Sequence, residues 1–256
     1  MILDRFRMDD RVAIVTGAGR GIGEGAALAM AEMGADVVLA ARTPNQIEAV
    51  AERVRGMGRR ALAVPCDVNE RAQLENVVSQ AMDAFGRIDV LVNNAGGSPP
   101  KPALRTSEKM FEAAFRFNVT TAFLLSRLAI PHMQSVGGGA IVNISSGAGR
   151  MPQANFVAYG TAKAALSFMT RQLAAEFAPE VRVNAVAVGA TATSSLLPYL
   201  DDETRGAMEA LTPMRRLGTV EDIAIAVLYL ASPASSWVTG KIFEVDGGTE
   251  TTNWPF

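Results

Sequence analysis

The sequence predicts a single α/β domain in which helices cover both faces of one parallel, doubly wound sheet. Two observations carry that expectation. Short β-rich runs alternate with longer helical segments along the whole chain, which is the order of βαβ units wound on one sheet. The runs are also apolar throughout rather than alternating, as strands are when both sheet faces are covered. No Pro/Ser-rich linker, charge block or low-complexity segment divides the 256 residues. One domain spanning 1–256 therefore accounts for a length that two small domains could also fill.

The elements follow in order. Val12 to Val15 reads as the first strand, and an Ala-rich helix runs from Gly21 to Met33. Asp36 to Ala40 is the second strand, followed by a helix from about Gln46 to Met57. Ala61 to Val64 and a helix from Gln73 to Phe85 come next, then a fourth strand from Ile88 to Val92. A helical stretch from Ser107 to Met133 is interrupted near Asn118, where weak helix formers cluster in Phe115-Arg116-Phe117-Asn118-Val119-Thr120-Thr121. An Asn inside a helix competes for backbone hydrogen bonds and bends it; the plainer reading is a solvent-facing side chain. Ala140 to Ile144, a helix from Phe156 to Phe177, and Val181 to Val186 complete the pattern up to the irregular stretch Gly189 to Leu217. So long a loop is expected to be functional, here as a flap over a site. A last helix, Val220 to Leu230, precedes the strand Lys241 to Val245.

Composition excludes several classes. The chain is 49% hydrophobic and 20% charged with a formal net charge of -2, ordinary for a globular protein and unfavourable for nucleic acid or an anionic membrane. The lone cysteine, Cys66, cannot form an internal disulfide and fits a reducing, cytoplasmic setting. The first residues, Met1 to Arg7, contain no apolar signal region, and the apolar run Ile223 to Ala231 is too short to span a bilayer. No metal site is expected.

The first strand runs into Thr16-Gly17-Ala18-Gly19-Arg20-Gly21-Ile22-Gly23 at the start of a helix. Glycines there permit a tight turn and close backbone approach to a phosphate, and a helix N-terminus offers free N–H groups and a positive dipole end. In this strand–turn–helix context the motif predicts dinucleotide binding. An acid at the end of the second strand would favour NAD(H); an Arg nearby accommodates the 2′-phosphate of NADP(H). That strand ends Leu39-Ala40-Ala41-Arg42-Thr43, without an acid, and Arg20 lies in the glycine loop. NADP(H) is therefore preferred, with NAD(H) still possible, the two arginines converging on one phosphate. Asp67 and Val68, after the third strand, are candidates for the adenine edge; alone, Asp67 reads as a helix-start residue.

Tyr159 and Lys163 are four apart in Tyr159-Gly160-Thr161-Ala162-Lys163, on one face of a helix. A phenol with an ordinary pKa of about 10 is a poor base, and a neighbouring ammonium should lower that value. Tyr159 would then serve as base toward an alcohol or acid toward a carbonyl. Either Ser145 or Ser146, closing the fifth strand, could donate to a substrate oxygen, since ligands of open α/β sheets lie beyond the carboxyl ends of strands.

Over nearly its whole length the chain resembles the short-chain dehydrogenase/reductase family. Thr16 to Gly23 matches the family's T-G-x-x-x-G-x-G, Asn93-Asn94-Ala95-Gly96 its N-N-A-G, and Tyr159 with Lys163 its Y-x-x-x-K. The resemblance implies a seven-stranded Rossmann sheet. It implies that Asn94, Ala95 and Gly96 lie against the cofactor, that Lys163 binds the nicotinamide ribose and that Tyr159 transfers the proton. It selects Ser146, thirteen residues before the Tyr, to position the substrate oxygen, and assigns Asn118 to a water relay with Lys163. Thr43 joins the cofactor set on the same basis, with Gly189, Thr191 and Thr193 beyond the sixth strand. Val238 to Gly248 resembles the family's last strand, often a subunit interface, so a homotetramer is expected. One departure stands out: Val188-Gly189 replaces the usual Pro-Gly, which should leave the loop contacting the nicotinamide less constrained.

The fold alone does not choose a substrate. The expected pocket contributors, Gly97 to Pro100, Ala148, Met151, Gln153 and Ser195 to Tyr199, are mostly small or apolar, which favours an apolar ketone or secondary alcohol. Asn93 to Pro102 and Thr212 to Gly248 look similar to bacterial hydroxysteroid dehydrogenases. A 3-oxoacyl-[acyl-carrier-protein] reductase ranks second, because Gln134 to Gly137 and Pro179-Glu180 lack the basic residues that would dock an acidic carrier. An epimerase or dehydratase of the extended relatives, and a non-catalytic NADP(H)-binding module, are the remaining alternatives; the retained Tyr159 argues against the module.

Overall fold

The computed structural model describes residues 1–194, 196–197 and 200–254. Seven parallel strands form one sheet in the order β3-β2-β1-β4-β5-β6-β7, with β1 Val12–Thr16, β2 Asp36–Ala41, β3 Ala61–Pro65, β4 Val90–Asn93, β5 Gly139–Ser146, β6 Val181–Val188 and β7 Ile242–Val245. The helices are α1 Gly21–Glu32, α2 Pro44–Gly56, α3 Arg71–Phe85, α4 Glu108–Phe115, α5 Thr121–Ser135, α6 Val157–Phe177, α7 Asp202–Leu211 and α8 Val220–Ala231. Strand order reverses between β1 and β4, so a crevice opens at their carboxyl ends.

The apolar runs are explained by a core on each face. Along β1, Ala13 and Val15 pack with residues of α1, α2 and α8, whereas Val12 and Ile14 pack with residues of α3, α5 and α6. Side chains alternate in direction, yet both directions are dry, so every position is apolar. Each fully buried Val, Ile or Leu contributes roughly 1.5–3 kcal/mol through this burial. Charge is admitted where strands begin. The buried Asp89 carboxylate accepts from Val12 N at 2.9 Å and from Arg87 Nε and Nη2 at 2.8 and 2.7 Å, which joins the starts of β1 and β4.

Three boundaries differ from expectation with a physical reason. The fourth strand begins at Val90 rather than Ile88, because Asp89 turns its side chain onto β1. The interruption near Asn118 is a π-helical turn, Arg116–Thr120, between α4 and α5. The stretch 189–217 is not all loop: it contains α7, whose start is capped by Asp201 accepting from Thr204 N at 2.8 Å. Among the described residues no helix is long and apolar enough to cross a membrane.

Candidate active site

A cleft of about 1090 Å³ lies over the carboxyl ends of the strands. At one end it is floored by the glycine loop. Gly17 takes a φ of +63°, a left-handed conformation that only glycine adopts at little cost. A Cβ on Gly23 would lie 2.4 Å from Gly17 O and 2.5 Å from Asn94 Nδ2, so the helix start packs directly on the turn. Asn94 fixes that turn, its Nδ2 donating to Thr16 O at 2.8 Å and Gly17 O at 3.2 Å. Thr16 Oγ1 accepts from Asn94 N and Ala95 N, both at 3.0 Å. No side chain caps the start of α1, so its leading N–H groups remain available to an anion.

Gly17, Gly19, Arg20, Gly21, Ile22, Arg42 and Thr43 line this end of the cleft, as do Asp67, Val68, Asn94, Ala95 and Gly96. Gly23 does not line it and serves in packing. Arg20 and Arg42 are exposed, and among the described residues neither has an ion-pair or hydrogen-bond partner. Asp67 is not a helix cap. Its Oδ1 accepts from Asn69 N and Nδ2, both at 3.0 Å, and α3 begins later, after Glu70.

The Tyr–Lys pair sits at the start of α6, against the end of β5. Lys163 is 3% exposed, and its Nζ donates to Ile144 O at 2.7 Å. Burial pushes its ammonium down to about 7, since no carboxylate compensates the lost water. The two serines part company. Ser145 Oγ turns onto α6, donating to Lys163 O at 3.1 Å and lying 2.8 Å from Ser167 Oγ. Ser146 accepts from Ala148 N at 3.2 Å and is the hydrogen-bond partner of the Tyr159 phenol. Three successive residues of β5 thus hold Lys163 Nζ, the Lys163 carbonyl and the Tyr159 side chain.

The expected lowering of Tyr159 is corrected. Burial in the cleft pushes the phenol up, and the Ser146 hydrogen bond only partly offsets that. The ammonium of Lys163 lies 5.6 Å from the centre of the Tyr159 ring and points to a backbone carbonyl, too remote to prevail over burial.

Asn118 is buried rather than solvent-facing. Its Nδ2 donates to Ala114 O at 2.8 Å and Gly97 O at 3.0 Å, and its Oδ1 accepts from Gly97 N at 2.9 Å. It ties the π-turn to the segment after β4, one layer behind the cleft rather than on its lining. A Cβ on Gly96 would lie 2.7 Å from Asn118 Oδ1 and 3.1 Å from Lys163 Nζ, so Gly96 lets these two groups approach.

The segment after β6 is more constrained than the missing proline suggests. Gly189 N donates to Val245 O at 3.0 Å, and Gly218 N donates to Ala190 O at 2.9 Å. Thr191 forms a bridge with Gly218, and its Oγ1 donates to Gly189 O at 3.1 Å. Backbone pairing to β7 and to Gly218 thus holds the segment. Gly189, Thr191 and Thr193 all line the cleft.

Beyond Tyr159 the cleft is lined by Ser98, Pro99, Pro100, Ala148, Met151 and Gln153 as anticipated. Of the expected flap contacts Leu196 lines it, while Ser195, Pro198 and Tyr199 lie outside the described residues. Sequence reasoning missed Phe156, Met208, Asn253 and Trp254, which also line this end. The signal for Met208 was the acidic helix start Asp201-Asp202-Glu203; no periodicity marks the irregular C-terminal residues.

Known proteins are similar to this chain over nearly its whole length. A family model described as enoyl-(acyl carrier protein) reductase matches residues 17–250. An uncharacterized oxidoreductase of Mycobacterium tuberculosis is 51% identical over 255 residues, covering 99% of this chain and 97% of that protein. A 7α-hydroxysteroid dehydrogenase of Escherichia coli is 39% identical over 246 residues, 96% of each chain. A solved 7α-hydroxysteroid dehydrogenase, complexed with NADH and 7-oxo glycochenodeoxycholic acid, superposes with a TM-score of 0.94 at 38% identity over 98% of each chain.

Proposed function

The chain belongs to the short-chain dehydrogenase/reductase family, as an oxidoreductase that uses a nicotinamide cofactor to interconvert alcohols and ketones, and from that premise we propose an NADP(H)-dependent enzyme acting on a largely apolar ketone or secondary alcohol, with Tyr159 as its proton-transfer residue. The carrying observation is the Tyr159–Ser146–Lys163 arrangement at the end of β5, in the same cleft as the glycine loop.

The residues present fit the cofactor. The uncapped start of α1 and the glycine turn suit a pyrophosphate, and Arg20 and Arg42, without ion-pair or hydrogen-bond partners among the described residues, suit a 2′-phosphate. When bound, the nicotinamide supplies or accepts the hydride. Thr43, Asp67, Val68 and the 94–96 segment would border the adenosine half, and Gly189, Thr191 and Thr193 the nicotinamide half.

The chain's own residues handle the proton. Ser146 is placed to donate to the substrate oxygen, and Tyr159 to pass it a proton as negative charge develops. A phenol held above its ordinary value keeps its proton at neutral pH, which suits carbonyl reduction. Lys163, its ammonium pushed down to about 7 by burial, binds the ribose and exchanges protons behind the Tyr. Asn118 is assigned the holding of a water toward Lys163, a role supported by the approach of both side chains to Gly96. The 189–217 segment, with α7, serves as a flap that excludes water. A homotetramer in the cytoplasm completes the proposal. Trp237 and Ile225 are exposed apolar side chains, at 98% and 65%, that a subunit contact would cover.

The matched model's description favours a second reading, an acyl-carrier thioester substrate. Gln134 to Gly137 and Pro179-Glu180 carry no basic side chain to dock an acidic carrier, which ranks it below the apolar ketone. The test is a paired panel of steroid ketones, simple ketones and 3-oxoacyl thioesters with NADPH and with NADH. The proposal expects NADPH-coupled turnover of an apolar ketone; turnover of thioesters alone would replace the substrate, and NADH preference would replace the cofactor.

A further inference from the structure

The substrate end of the cleft is lined by Thr249, Asn253 and Trp254, and the segment that carries them is fastened on two sides. On one side Arg150, four residues after Ser146, gathers them. Its Nη2 donates to Thr249 O at 2.6 Å, its Nη1 to Glu250 Oε2 at 3.2 Å, and its Nε lies 3.2 Å from Glu244 Oε1. On the other side Asn253 Nδ2 donates to the buried Thr212 Oγ1 at 2.9 Å, and Met214 N donates to Gly247 O at 3.1 Å. The fastened segment brings Trp254 edge-on to Phe156, with ring centres 5.6 Å apart at 90°, and Phe156 lies 6.0 Å from Tyr159. Phe156 is thus in ring contact with both Tyr159 and Trp254, and all three line the cleft.

We infer that the C-terminal segment Thr249–Trp254 is the specificity-determining wall of the substrate pocket, that Trp254 contacts the part of the substrate remote from the reacting carbon, and that Arg150 is the positioning residue that fixes this wall. This rests on the proposed ketone or alcohol reading and names its substrate class: a rigid multi-ring compound long enough to reach from Tyr159 to Trp254. Such a compound, held at Tyr159, would reach further along this wall than a small ketone. Offset and edge-on aromatic surfaces suit flat apolar rings, and orientation by remote contacts is where binding energy discriminates between substrates.

Two measurements on the full chain test it. The first compares kcat/KM for a tetracyclic 7-oxo steroid with that for cyclohexanone in wild type, Trp254→Ala and Trp254→Phe. Losing apolar contact in such a pocket should lower the steroid-to-cyclohexanone ratio at least about tenfold in Trp254→Ala, through KM, with Trp254→Phe recovering most of it. Arg150→Ala should shift the ratio the same way, again in KM rather than kcat. A ratio that moves less than about twofold overturns the inference, as does a wild type that reduces cyclohexanone but not the steroid. The second uses the chain's two tryptophans. In a Trp237→Phe background the emission of Trp254 should shift on titration with the steroid ketone, with or without turnover; an unchanged emission at saturating steroid overturns the inference. Loss of all turnover on every ketone, with the emission shift retained, would instead strike the catalytic reading.

Discussion

The buried Lys163 makes the stability of the cofactor-free protein depend on pH in a calculable way. Burial lowers its ammonium from 10.5 to about 7, and unfolding restores the ordinary value. Between those two values the unfolded chain holds a proton that the folded protein has released. Unfolding free energy therefore rises with pH across this window, by about 1.4 kcal/mol per pH unit. Below the window both states are protonated and the fold bears the full cost, as much as about 5 kcal/mol; above it the cost is gone. Lys163→Met removes the charge and keeps an unbranched stem, while losing the hydrogen bond to Ile144 O, worth about 1.5–3 kcal/mol for a charged donor. At about pH 7 the variant should be more stable by roughly 1.5–3 kcal/mol, and at about pH 10 the order should be equal or reversed. Urea unfolding followed by circular dichroism at several pH values, without cofactor, reads this directly. Groups common to both proteins cancel in the difference. Parallel stability curves for wild type and Lys163→Met would refute the reasoning, because they would mean that Lys163 is not desolvated.

Other outcomes follow from single contacts. Arg42→Ala and Arg20→Ala should each weaken NADPH by roughly 10- to 100-fold while sparing NADH, the worth of a charge-assisted hydrogen bond; binding titrations showing equal effects on both cofactors would remove the 2′-phosphate role. Gly23→Ala forces a Cβ to within 2.4 Å of Gly17 O, so it should cost about 1–3 kcal/mol of stability and weaken both cofactors, read by thermal melts and by titration. Asp89→Ala strips Arg87 and Val12 N of their shared acceptor; a loss of about 2–4 kcal/mol in urea unfolding is expected, with cofactor affinity unchanged.

Much of this was legible because the signals were local. The apolar strands are readable without coordinates since both faces of the sheet are dry, and the glycine loop because a turn between β1 and α1 leaves no room for side chains. The spacing of Tyr159 and Lys163 is a property of one helix. What was not legible depends on long-range contacts. Whether burial or the ammonium governs the Tyr159 phenol depends on where Lys163 Nζ goes, and it goes to a carbonyl of β5. Val188 looked like a loosened turn because the backbone bonds from Val245 and Gly218 come from far along the chain. Helix α7 was hidden by low apolar content, with Met208 its one buried residue. The segment leading to Trp254 has no periodic pattern; contacts with residues far along the chain, among them Arg150 and Thr212, hold it.

The central claim is that Tyr159 transfers the proton in a nicotinamide-dependent interconversion of ketone and alcohol. Tyr159→Phe removes one oxygen and leaves the ring beside Phe156 in place. Turnover of an apolar ketone with NADPH, measured at saturating cofactor alongside the NADPH dissociation constant, tests it most directly. The account predicts a fall in kcat of roughly a hundredfold to ten-thousandfold with the dissociation constant little changed. Full turnover in Tyr159→Phe on a ketone that the wild type reduces would contradict it.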